Sequence, residues 1–546
     1  MISFKRKTTK HNKTSNPVLN FLKRNILAIV VLLVFIVGTI ATIVIVNREG
    51  DTTPDDQGTI AILTPASESR IAMYNPKSFD PLASSDEDVV YLNQLIYGYL
   101  FRLDEGLNIT PDLVEEYIPN RETASVEIKL YDGLRFSDGS RLSASDVVFT
   151  IDTIRYTGKK SPYFNYVSKI ADVEITGTNS LVIKFFDPYN AALDNLVFPI
   201  VSEDDYNVSD LRVGSGPYKY GDYNPERSLE LVPNEYYHGV NPTVSVIINI
   251  VKNKDILAGL VTMDDVTAYI SSDPASDNIA QDKSLRCRYI PSGELEYLGF
   301  NCNNPMLSDN RIRQAIAYAI DVEEILRDDY SGSVLSSDSL YYPQFLGVND
   351  ENSISYDPKK ASEILSSMDY KDTNEDKFVE TPEGEPITLK LLVDNSQITR
   401  KDAAATIVKN LAAVGIKVEV IALDKNELLN VLKAGTFDMF IAGINLDKQF
   451  KMSELFNDAN YGNFNDQTVI SLVSQLDQCL SAEEQKAVFI ALKPQLNSQI
   501  PYFALGYKAY YFVSVSSLSV TESPVFFDPY RGIGTWTWQK RMTVEE

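Results

Sequence analysis

Residues able to do covalent chemistry are scarce in this chain. It holds two histidines, His11 and His238, in 546 residues, so a Ser/His/Asp triad, a Cys/His dyad or a histidine-rich metal site would have to depend on one of them. His238 falls in NEYYHGVNP, a polar stretch that reads as a surface turn. No G-x-S-x-G, H-E-x-x-H or G-x-x-x-x-G-K-[ST] pattern occurs. None of the 75 acidic residues has a setting diagnostic of glycoside hydrolysis. Gly214 and Gly216 in VGSGPYKY look at first like a phosphate cradle, but the following proline removes an amide donor and no helix opens there, so a tight chain turn is the better reading. These residues point to a binder, not an enzyme.

Two groups could hold an ion or form a bond. The segment DTNEDKFVETPE sets Asp372, Asn374, Asp376, Glu380 and Glu383 at the oxygen positions of a twelve-residue calcium loop. Lys377 stands where that loop needs glycine and a strand follows where it needs a helix, so an acidic, solvated hairpin is the favoured reading and calcium the alternative. Cys287 and Cys302 belong to two predicted strands, RCRYI and YLGFNC, separated by the turn-like PSGE. A disulfide between them and a pair of buried thiols are both open readings. The three cysteines lack zinc-site spacing. Tyrosine is abundant, 31 against 2 tryptophans, which suits surfaces that bind by stacking and hydroxyl hydrogen bonds. Those in YLNQLIYGYL and LYYPQF lie near element ends, where they could line a cleft.

The elements that must position such groups can be read from periodicity. Ser143 with Asp146 forms a capping box before a helical face of Ala144, Val147, Val148 and Ile151. Ahead of it, SVEIKLYDGLRF reads as a hairpin closed at Asp132-Gly133, with a second turn at Asp138-Gly139. Asp309 caps another helix that carries Ile312, Ile316, Ala319 and Ile320 on one face. Between Ile387 and Ile444 the pattern alternates strand, helix, strand, helix, strand, which predicts parallel strands with right-handed crossovers. Ligands gather beyond the carboxyl ends of such strands, where INLDKQF would lie.

Residues 26–46, ILAIVVLLVFIVGTIATIVIV, contain no charge and no proline and are long enough to cross a bilayer. Seven basic residues and no acid precede them, so the positive-inside rule leaves residues 1–25 in the cytoplasm and exports the rest. The run is too long for a signal-peptide core, and no small-residue cleavage site or lipoprotein cysteine follows it, so it reads as an uncleaved anchor. Residues 47–58 form a polar linker. The chain carries a net charge of −25 even with its basic tail, and so acidic an exported part repels phosphate backbones. Nucleic acid is an unsuitable partner.

Five motifs in order give the chain a family resemblance. They are YNPKSFDP with LIYGYLFRLDEGLNITPDLVEEY; LYDGLRFSDGSRLSASDVVFT; VGSGPYKY with PNEYYHGVNP; YLGFNCNNPMLSDNRIRQAIAYAID; and TFDMFIAGINLD with NYGNFND. Over residues 59–540 the chain resembles the extracytoplasmic solute-binding proteins of ABC importers, in the oligopeptide, dipeptide and nickel branch. The resemblance implies an α/β, periplasmic-binding-protein-like fold of two lobes joined by a hinge near 290 and 505, with an extra inserted lobe, here preceded by the one transmembrane helix. Residues 59–100, 206–289 and 506–546 would form the first lobe, 101–205 the extra lobe and 290–505 the second lobe. The implied function is capture of a peptide or similar small ligand between the lobes, outside the cell membrane, for delivery to ABC importer membrane subunits.

In peptide-binding members an aspartate just past the last strand pairs with the ligand's α-ammonium, and Asp447 occupies that place. Gly443, Ile444, Asn445 and Leu446 would offer main-chain groups to the ligand as an added strand. The loop of Ser85, Asp86 and Glu87 would face them from the other lobe. The family's usual tryptophan is Ile444 here, and KQFK replaces the usual proline-containing tail, so peptide specificity transfers less firmly than the fold. Two alternatives stay open: the ectodomain of a signalling system, and binding of nickel or a metal chelate, which the shortage of histidine disfavours.

Overall fold

Two long strands, Leu285–Phe300 and Tyr502–Val515, lie antiparallel to one another, in register from Leu285 opposite Val515 to Gly299 opposite Tyr502. Both are rich in aromatic and branched residues that fill a sheet interior. The computed structural model describes residues 61–187, 193–207, 211–272, 283–348, 354–446, 452–457, 460–479 and 481–543. Residues from Leu63 to Arg541 form one compact unit. The long pair is the centre of its main sheet. On one side follow Met439–Asn445, Leu389–Asp394 and Val418–Leu423; on the other, Ala268–Ser271, Glu68–Tyr74, Ser245–Val251, Ser228–Pro233 and Tyr218–Asn224.

The ladder between the long strands is interrupted midway. Its register shifts between Pro291 and Leu295 and again between Glu296 and Tyr297. Pro291 has no amide to donate, and Gly506 meets the carbonyl of Leu335 so closely that a Cβ would overlap it. The cores change identity at this break. Ile290 and Tyr511 belong to one hydrophobic cluster, whereas Leu295, Tyr297 and Tyr507 belong to a second and Leu298, Phe300 and Leu505 to a third.

The first cluster extends into a separate antiparallel sheet, ordered Val114–Asn120, Ser125–Leu130, Ser180–Phe185, Ile170–Gly177, whose inner face is covered by the helix Ala144–Thr157. The capping box at Ser143 and Asp146 is formed. The predicted hairpin at Asp132-Gly133 is not: Ser125–Leu130 pairs with Val114–Asn120 and Ser180–Phe185, because those strands present the alternating apolar faces that match it. Asp138-Gly139 does close a short turn, bridged by Arg135 and Arg141.

The other two clusters line opposite faces of the predicted β-α-β-α-β unit. Leu389–Asp394 pairs in parallel with Val418–Leu423 and with Met439–Asn445. Ile398–Ala413 packs through Ala403, Ala404, Ile407 and Leu411 on one face, and Lys425–Ala434 through Leu428 and Leu432 on the other. The helix Asn310–Ala319 starts at Asp309, whose carboxylate accepts the Arg311 amide as a cap.

The disulfide reading is overturned. RCRYI, PSGE and YLGF form one continuous strand, not a hairpin, so Cys287 and Cys302 stand near its two ends, about 50 Å apart at the rise of an extended chain. Both are free, partly exposed thiols, and Cys479 is free and buried. Burial pushes the Cys287 and Cys302 thiols up, and burial with the nearby Glu484 carboxylate pushes Cys479 to about 12. The apolar run 26–46 and the linker 47–58 lie outside the described residues, among which no helix is long and apolar enough to cross a membrane. Denatured protein alkylated without reductant should take up three adducts by mass spectrometry; a single adduct would show that two of the thiols are joined.

Candidate ligand-binding site

The strand Met439–Asn445 is paired along its whole length on one edge, with Asn445 opposite Glu294 and Gly443 opposite Glu296. On the other edge its ladder with Leu389–Asp394 covers only Met439 and Phe440. Residues 443–445 therefore run past the end of the neighbouring strand, and Leu446 is held by its amide donating to the Gly293 carbonyl at 2.9 Å. Gly443 and Asn445 are exposed, while Leu446 is buried in the second cluster. The sheet thus offers a short stretch of backbone at the carboxyl ends of parallel strands, where side-chain packing no longer covers it. Asp447 lies outside the described residues.

A buried ion pair supports this edge from beneath. Arg400, in the first turn of Ile398–Ala413, donates from Nε and Nη2 to the two oxygens of Glu296, both at 2.8 Å. The Glu296 side chain is 2% exposed and that of Arg400 16%. Tyr330 adds a hydroxyl donated to Glu296 at 3.0 Å. Burial opposes the Arg400 charge, but the Glu296 carboxylate outweighs it and raises its pKa. Burial and Glu296 push the Tyr330 hydroxyl well above the ordinary phenol range. A side chain at Gly443 would have to displace this pair: a Cβ would sit 2.7 Å from Glu296 Oε1 and overlap the Arg400 guanidinium. Beside the pair, Asp394 accepts from the Ser396 amide and hydroxyl, which with Arg400 and Lys425 lowers its pKa against the effect of burial.

The same face of the long strands continues into the first half of the sheet. Lys508 donates to Glu294 at 2.7 Å, and two residues on Tyr510 donates its hydroxyl to Glu87 at 2.6 Å. Glu87 also accepts from Tyr91 at 2.8 Å. Burial and this carboxylate raise both phenols. Glu87 begins the helix Glu87–Ile96, and Asp86 is its N-cap, accepting the Asp88 amide. The carboxyl end of that helix is seated on VGSGPYKY: Gly216 donates its amide to the Ile96 carbonyl at 2.8 Å, and a Cβ on Gly216 would meet the backbone of Leu95 and Ile96 at 2.7–2.9 Å. The glycines thus make a close helix seat. Ser85 and Glu87 are exposed and Asp86 half-buried.

The singled-out tyrosines are mostly structural. Tyr97, Tyr99 and Tyr341 are fully buried. Tyr342 donates to the Pro291 carbonyl at 3.1 Å, at the register break. In the acidic loop, ligand oxygens of Asp372, Asp376 and Glu380 lie within 4.8 Å of one another. Glu380 is already bonded to the Thr373 amide and hydroxyl and to the Asn374 side chain, each at 2.7 Å. Asn374 thus faces Glu380 with its amide nitrogen, and Glu383 is not in the cluster. The hairpin is closed by its own hydrogen bonds. His238 lies on an exposed turn, its Nε2 3.1 Å from the Asp112 carbonyl.

Glu296, Arg400, Tyr330, Lys508 and Tyr510 were not singled out by sequence reasoning. Two signals existed: a charged residue inside the otherwise apolar LEYLGF, and an arginine in the first turn of a helix, where the dipole disfavours a cation unless an anion holds it.

One hydrophobic cluster on one side of the register break and two on the other, joined by a pair of crossing strands with open backbone beside the crossing, define a two-lobed α/β ligand-binding protein. Residues 108–465 match the model for bacterial extracellular solute-binding proteins, family 5, and the chain belongs to that family. It is 25% identical over 387 residues to the oligopeptide-binding protein AppA of Bacillus subtilis, covering 66% of this chain and 70% of that protein. It is 24% identical over 498 residues to heme-binding protein A of Haemophilus influenzae, covering 81% and 87%. Among solved structures, the nickel ABC transporter protein of Bacillus halodurans aligns with a TM-score of 0.74 at 17% identity, over 86% of this chain and all of that one. The unliganded, open form of the murein tripeptide binding protein MppA aligns at 0.73 and 17%, over 89% and 99%.

Truncating Glu296 to alanine leaves Arg400 without its anion, and unfolding by denaturant should show a loss of about 3 kcal/mol. Gly443→Ala should cost about 1–3 kcal/mol by displacing the same pair. Wild-type stability in both variants would show that the pair does not carry this edge.

Proposed function

We propose that this chain is a membrane-anchored extracellular solute-binding protein that captures a peptide between its two lobes and delivers it to an ABC importer. The observation that carries the reading is the strand edge at Gly443 and Ile444, which runs past the end of Leu389–Asp394. An extended peptide can add to it as a strand, using main-chain groups that every peptide presents, so that side chains are free to vary. Membership of family 5 and the likeness to an oligopeptide-binding protein support the same substrate class.

Asp447, next along the chain, would pair with the ligand's α-ammonium. Ser85, Asp86 and Glu87 would approach from the first lobe. Closure would turn on residues 291–294 and 506–510, where the shared ladder is interrupted. The apolar run 26–46 would hold this assembly at the outer face of the membrane, in place of a lipid. A metal-chelate ligand is the less suited alternative, since one histidine is exported and it lies on an exposed turn against Asp112.

The test is the thermal stability of the full chain with a mixed peptide pool. At a hundredfold excess over Kd the bound state should gain about 2.7 kcal/mol, and Asp447→Ala should remove most of that gain. A shift with nickel–histidine or heme and none with peptides would sink the substrate assignment.

A further inference from the structure

The extra lobe, which shares the first hydrophobic cluster with the first lobe, also touches the second lobe. The hairpin Phe101–Leu103 with Ile109–Pro111 ends in a loop that is organised from within: the Asp104 carboxylate accepts the Gly106 amide at 2.8 Å, the Asn108 amide at 2.8 Å and the Asn108 side chain at 2.9 Å. This holds Leu107 in the left-handed conformation, at φ 62°, at the hairpin tip. The side chain is 5% exposed, yet it joins the hydrophobic cluster of the second lobe, with Leu340, Tyr341, Phe345 and Leu346. Leu346 donates its amide to the Gly106 carbonyl at 2.8 Å. A second point of contact is Arg121, which donates to Glu484 Oε1 at 2.9 Å and to the Gln478 carbonyl at 3.1 Å.

This contact lies on the face of the crossing strands opposite to the Glu296–Arg400 pair and Gly443, while Leu446 turns into the same cluster as Leu107. Leu295, Tyr297 and Tyr507 point into the cluster that receives Leu107. Glu294, Glu296 and Lys508 point the other way, to the face of Arg400, Tyr510 and Glu87. On that face Gly443, Asn445, Ser85 and Glu87 are all exposed. The structure therefore combines an open ligand side with a closed contact behind the strands.

We infer that the Leu107 tip is a brace that holds the cleft open, and that its release is the cost that tunes ligand affinity. The inference rests on the hinge reading above. A rotation about the crossing strands that brings residues 85–87 toward 443–446 draws the opposite faces apart, so Leu107 must leave its socket. The Leu107 contact is small: one apolar plug, one backbone hydrogen bond and an ion pair whose side chains are 50% and 40% exposed, beside Val525 and Phe527, which enter the same cluster close to the crossing strands. Any ligand must supply the free energy of breaking it, and weakening it shifts the population toward the closed, binding-competent form.

Leu107→Asn tests this, because asparagine accepts the left-handed backbone but not the apolar socket. In the full chain in detergent, trialanine should bind the variant about tenfold more tightly than wild type, the scale set by exposing one leucine. Arg121→Ala should act in the same direction and more weakly, and serves where the first variant fails to fold. Fluorophores on encoded handles at Lys77 and Lys425, which follow strand ends on the two lobes, should move closer in ligand-free Leu107→Asn. Unchanged or weaker trialanine binding overturns the brace. If wild type takes no trialanine, the peptide reading fails instead, and the fluorophore distance alone decides: no shortening overturns the brace.

Discussion

Every other feature of this protein depends on how two strands pass from the hydrophobic cluster of one lobe into the two clusters of the other. A strand ladder that ran unbroken from Leu285 to Phe300 would weld the lobes into one slab. Pro291 withholds an amide and Gly506 admits the Leu335 carbonyl where no side chain would fit, so the register slips there and the cores separate. Continuity of the two chains keeps the lobes together, and the slipped register lets the sheet bend.

The two faces of this crossing are chemically unlike. One carries Glu294, Glu296, Lys508, Arg400 and Glu87, bound to each other and to tyrosine hydroxyls. A network of that kind holds positions accurately through directional bonds while remaining compatible with water at its margin. The other face is apolar and takes in Leu107 from the extra lobe and Val525 and Phe527 from the first. Apolar contact is strong and non-directional, which suits a surface that must part and reform.

The proposed ligand edge would need little dedicated chemistry. Its donors and acceptors are those of the peptide backbone, exposed only because Leu389–Asp394 stops pairing at Phe440. The side chains nearby mostly hold the edge in place, and Gly443 is small because the Glu296–Arg400 pair occupies the space its Cβ would need.

Much of this was legible in the amino-acid sequence. The strand and helix periods from Ile387 to Ile444, the caps at Ser143 and Asp309, and the ordered motifs of the family all depend on residues close in the chain, and local propensity and patterning report such structure faithfully. What involved distant residues was not. PSGE has the composition of a turn, yet the antiparallel partner Tyr502–Val515 draws it into one long strand and carries Cys287 and Cys302 apart. The pairing of Glu296 with Arg400 spans 104 positions and that of Glu87 with Tyr510 spans 423, and no local pattern encodes either. By itself the sequence determined the alternating elements from Ile387 to Ile444, the helix caps and the family, whose resemblance named residues 443–446 as candidates. Only the tertiary structure decided which charges meet and which apolar tip crosses between lobes, because those contacts come from packing between segments that periodicity cannot relate.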